Sequence, residues 1–178
     1  MTFSNPAANA AAAASSYVRA LLGLLGSRDP LTVMTELTPW LDSRIGGVAE
    51  TVLRRPEGPG KWSVVQVIQH LADSELVMGY RIKMILTQDR PLLPGYDQDQ
   101  WAGEFQYDQV PLRLALEQLR GLRAAHLHLW AKLSPSQLER VGLHTERGPE
   151  STSHLLRLLA AHDLVHRRQI DRIVSSVR

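Results

Sequence analysis

Cysteine is absent from the 178 residues, which removes disulfides, thiolate-ligated zinc and any thiol nucleophile supplied by the chain. Histidine, aspartate and glutamate are left as the side-chain metal ligands. No apolar run approaches the roughly 20 residues that a helix needs to cross a bilayer, so a membrane-spanning role is excluded. The opening stretch, residues 1–14, is small and weakly apolar but lacks the basic and strongly apolar regions of a secretion signal, and reads as a frayed or weakly helical tail. Charge of one sign is also scarce. With 20 Lys and Arg against 18 Asp and Glu, the formal balance is +2, and the basic residues are scattered, so no field for nucleic acid arises despite a pI near 9.2. No segment repeats another and no alternating run marks a strand. These absences fit a cytoplasmic protein.

What is present is a hydrophobic fraction of 44%, enough for one globular domain over residues 15–178. The periodicity is helical throughout. Residues 15–25 form a first pattern ending at Gly26, and Asp29-Pro30 then supplies an N-cap and a proline at the first helical position. Pro39 kinks or restarts that second pattern, and Gly46-Gly47 ends it. Ser63 and Gln66 form a capping box, with Trp62 placed to staple onto Val67, and open a helix to about Gln88. Its most apolar face collects Val64, Ile68, Leu71, Ile82 and Ile85, while His70 lies on the flank. Residues 89–109 hold Pro91, Pro94, Gly95 and Gly103 among Tyr96, Trp101, Phe105 and Tyr107, which predicts a packed crossover with a short central helix. A third long helix covers about 111–133, a capped short helix follows Ser134, and residues 144–150 make a turn before Ser151 or Thr152 caps the last helix. Long one-faced helices joined by a long crossover between the second and third describe an all-α four-helix bundle.

The last helix carries two histidines where leucines would be expected. His162 and His166 share the apolar side with Leu155, Leu159, Ile170 and Ile173, and sit one turn apart, roughly 6 Å along the axis. That spacing suits a metal-ligand pair, or two core histidines each with its own hydrogen-bond partner. Glu75 falls within an apolar stripe, as does Arg123 on the third helix, and burial requires that they pair. His126 reads as a core histidine, and Asp73, Arg167 and Arg168 as solvated surface. Gln169 shares the side of His162 and His166 and could orient a ligand, and His144 and Glu146 could reach the rim of a site. Asp163 reads as a carboxylate at the surface or behind the ligands, although H-D-L-V-H also has the order of the metalloprotease H-E-x-x-H, which would make it a base.

The stretches K-W-S-V-V-Q-V-I-Q-H-L-A-D-S-E, R-P-L-L-P-G-Y-D-Q-D-Q-W and A-H-D-L-V-H-R-R-Q-I resemble the DinB superfamily, the damage-inducible and YfiT-like four-helix proteins, over nearly the whole chain after the tail. The resemblance implies a divalent metal held by His70, His162 and His166, with zinc and nickel both suited to imidazole ligands. It also implies a small-molecule substrate, a homodimer, and activities like those of bacillithiol S-transferases and mycothiol-dependent maleylpyruvate isomerase. In those relatives a low-molecular-weight thiol attacks an electrophile. A metal-dependent hydrolase and a non-catalytic damage-response bundle are the alternatives.

Overall fold

The capping box forms as the spacing predicts. Ser63 Oγ accepts from the Gln66 backbone N–H and Gln66 Oε1 accepts from that of Ser63 at 2.8 Å, stabilising the helix start by about 1 kcal/mol. This is the start of α4, Val64–Thr87. The computed structural model describes residues 10–177, with side chains from residue 16 onward. Before α4 come α1 (Ala10–Leu25), α2 (Pro30–Ile45) and the short α3 (Glu50–Leu53). After it come α5 (Gln98–Glu104), α6 (Leu112–Trp130), α7 (Pro135–Leu138) and α8 (Thr152–Val177). The reading of residues 1–14 as a tail falls partly outside the described residues, and α1 begins at Ala10. Pro39 lies within α2, which neither breaks nor restarts there.

Four helices close a ring: α2 packs on α8, α8 on α4, α4 on α6 and α6 on α2. α1 adds to the outside of α8. Because α4 is covered by two helices and by the crossover, nearly every residue from Val64 to Glu75 is buried, and the flank that carries His70 borders α8. The absence of strands is corrected. β1 (Leu92–Leu93) pairs parallel to β2 (Val141–His144), which pairs antiparallel with β3 (Gly148–Ser151). These strands are too short for alternation to register, and the turn read at 144–150 is the end of that hairpin.

The apolar core is split. One cluster holds Leu37, Leu41, Ile68, Leu71, Leu119 and Ile173; the other holds Val33, Met34, Ile82, Trp130, Leu155 and Leu159. Between them runs a buried polar layer contributed by all four bundle helices. Arg123 donates to Glu75 Oε1 at 2.7 Å, to both Asp163 oxygens at 2.7 and 2.9 Å, and to the Met34 carbonyl at 2.8 Å. His126 Nδ1 bonds the other Glu75 oxygen. The pairing of Glu75 with Arg123 is therefore as the sequence demanded, and His126 is a core residue. Gly79 makes room for it, since a Cβ there would lie 2.0 Å from His126 Nε2.

Candidate metal centre

His70 projects from α4, and His162 and His166 project from successive turns of α8. Their Nε2 atoms meet where the two helices pack. His162 Nε2 is 3.1 Å from His70 Nε2 and 3.0 Å from His166 Nε2. Ligands sharing one ion through Zn–N bonds of roughly 2.0–2.1 Å would sit about 2.8–3.4 Å apart for angles near 90–110°. Among the described residues this is the group of three whose ligand atoms all lie within 4.8 Å of one another.

The electrostatics favour a cation at that point. Burial pushes His70 and His162 well below the usual imidazole range, with neighbouring positive charge adding to the effect, and pushes His166 down to about 4. Three neutral rings thus turn nitrogens on one another. A proton shared between rings satisfies only one pair at a time, whereas a divalent ion accepts all three lone pairs at once, so the residues present fit the group. His70 is 1% exposed and His166 7%, and His162 is half-buried as a residue with its Nδ1 buried.

The surroundings are built from α4 and the crossover. The Trp62 ring lies 5.2 Å from that of His70 and 6.5 Å from that of Tyr107. Tyr107 donates its hydroxyl to Asp73, whose oxygens also accept from Gln118 at 3.1 Å and Gln69 at 3.3 Å. Asp73 is therefore buried rather than solvated surface, which a helix-face reading missed because α4 has no solvent face at that height. One turn beyond His70, Ser74 Oγ is 3.3 Å from Tyr96 Oη, and Tyr96 stacks on Trp101 at 4.6 Å. The crossover thus covers the half of α4 that carries His70.

Other assignments change. Asp163 is neither surface nor a base: both oxygens face Arg123, and burial still raises its carboxyl to about 6. Arg167 is half-buried over the Trp40 ring at 5.0 Å and bonds Glu36, whereas Arg168 is exposed. His144 is buried on β2, with Nδ1 accepting from the Glu146 N–H and no bond to the triad. A cleft of about 250 Å³ lined by Leu24, Trp40, Leu164 and Arg168 lies on the side of α8 away from His162 and His166, and is not this site.

Without metal, acidification should destabilise the protein. The triad histidines and His144 all have folded values below the unfolded value of about 6.5, mainly through burial, with His166 and His144 at about 4. Their contribution is present above about pH 6.5 and is lost as pH falls below it toward the folded values. Asp163 is raised in the fold and acts oppositely over its own range, but it is one group against four. Urea midpoints in a chelator should therefore be lower at pH 5 than at pH 7; equal or higher midpoints would contradict the burial of neutral imidazoles.

Comparison with known proteins gives a consistent picture. The model of the DinB superfamily matches residues 38–170. A protein of Oceanobacillus iheyensis, named as a candidate metal-dependent hydrolase, is 34% identical over 107 residues, 60% of this chain and 62% of that protein, so the match falls short of two thirds of that relative's length. A Bacillus mycoides protein so named is 30% identical over 66% of this chain and 68% of its own length. The solved structure of YfiT from Bacillus subtilis, described as a probable metal-dependent hydrolase with an unusual four-helix bundle topology, aligns with a TM-score of 0.75. It is 25% identical, and the alignment covers 81% of this chain and 83% of that one. None of the helices described here is long and apolar enough to cross a membrane.

Proposed function

Because the chain belongs to the DinB superfamily, we propose that it is a divalent-metal-dependent hydrolase of a small molecule, with His70, His162 and His166 as the ligands. The observation that carries this reading is the convergence of three neutral imidazole nitrogens on one point. Three protein ligands leave coordination positions free, the arrangement of reactive rather than closed structural sites. When bound, a divalent ion supplies Lewis acidity at neutral pH. Zinc and nickel both suit the donor set.

The chain's own residues hold and enclose. Trp62 walls His70 and is itself backed by Tyr107, and Tyr96 closes the next turn. Asp73 and Asp163 have their oxygens committed to neighbouring donors, so neither serves as a free carboxylate base. The names of the relatives support hydrolysis over transfer to a low-molecular-weight thiol. The test is a panel of activated esters and amides, run on zinc- or nickel-loaded protein with and without added thiol. Turnover that needs the ion and not the thiol is expected. Turnover only when thiol is supplied would replace hydrolysis with transfer, and turnover no faster than with the ion alone would remove the enzymatic reading.

A further inference from the structure

The three ligands are not supported alike. His166 Nδ1 lies 2.7 Å from Gln169 Oε1, while His70 Nδ1 and His162 Nδ1 are buried with no hydrogen-bond partner among the described residues. A carbonyl oxygen only accepts, so the proton of a neutral His166 sits on Nδ1 and its Nε2 presents a lone pair. That Nε2 is the atom facing His162 Nε2 at 3.0 Å. Gln169 is three residues along α8, so the helix itself sets the two side chains beside each other. Nothing comparable selects the metal-competent tautomer of the other two rings.

We propose that Gln169 is a positioning residue that fixes His166 in the Nδ1–H tautomer before any ion arrives, making His166 the preorganised ligand of the three. The inference rests on the metal reading above. It adds a hierarchy in which one ligand is set by the fold and the other two are completed by the ion. An acceptor on the far ring nitrogen also makes the ligating nitrogen more basic, and its loss typically costs 10–100-fold in metal affinity.

Two measurements on the full chain test this. In metal-free protein, long-range ¹H–¹⁵N correlation of the imidazoles should show His166 as the Nδ1–H tautomer, and Gln169→Leu should convert it to a mixture or to the Nε2–H form. In competition titrations with Zn²⁺, Gln169→Leu should bind about 10–100-fold more weakly with the thermal midpoint of the metal-free protein essentially unchanged, and Gln169→Glu should restore or exceed wild-type affinity. An Nε2–H tautomer in the wild type, an affinity of Gln169→Leu within twofold of wild type, or no recovery in Gln169→Glu would overturn the proposal. Absence of zinc binding by the wild type would instead remove the metal reading, while the tautomer measurement still tests the role of Gln169.

Discussion

Arg123→Met is expected to cost about 3–5 kcal/mol of folding stability, the usual loss when one partner of a buried ion pair is removed. Arg123 is 1% exposed and neutralises two carboxylates that are themselves buried, Glu75 at 0% and Asp163 at 0%. Methionine fills most of the space but leaves Asp163 facing an apolar side chain and the Met34 carbonyl without its donor. Glu75 is less exposed to the loss because His126 still bonds its second oxygen. The double variant Arg123→Met/Asp163→Asn should accordingly recover part of the deficit, since the stranded charge is then gone. Urea unfolding monitored by circular dichroism checks both. A loss below about 1 kcal/mol, in the range of a surface pair, would mean that the polar layer does not hold the four helices in register.

That layer also marks how far the fold could be read from the sequence. The capping boxes at Ser63 and Ser134 and the pairing of Glu75 with Arg123 were legible, because each follows from local spacing or from the cost of an unpaired buried charge. Asp73 and Asp163 were not. Helical periodicity assigns a residue to one side of a cylinder, and that fails for α4 and α8 at mid-height, where helix, crossover and loop cover several sides. The hairpin of β2 and β3 escaped for a different reason: strands of 4 residues held by the crossover and by α4 carry little periodic signal. The inward-facing histidine pair on α8 was visible in the i, i+4 spacing, but the place of His70 beside it came from resemblance to a family, since nothing local to residues 63–75 says which helix will face it. The support of His166 by Gln169 was only partly legible. Their shared side could be read, while the acceptor geometry depends on rotamers.

His162→Ala is expected to abolish stoichiometric metal binding, with a larger effect on the ion than on the fold. His162 is the middle of the triad, with its Nε2 close to both of the others, so its removal deletes a ligand and the contact that sets the other two. Because its Nδ1 has no hydrogen-bond partner among the described residues, its truncation strands no hydrogen bond outside the site. His126→Ala should behave in the reverse manner. It removes the partner of a Glu75 oxygen and empties the notch at Gly79, lowering stability while leaving metal content nearly unchanged. Retention of full occupancy by the His162 variant, or loss of metal by the His126 variant, would place the ion elsewhere.

The most direct measurement is the metal content of the protein purified without a histidine tag, by elemental analysis after reconstitution with Zn²⁺ or Ni²⁺ and removal of free ion. The account predicts a stoichiometric divalent ion in the wild-type protein and its loss in each of His70→Ala, His162→Ala and His166→Ala. A wild-type protein that remains metal-free, or that keeps its ion when any of the three is replaced, would contradict it.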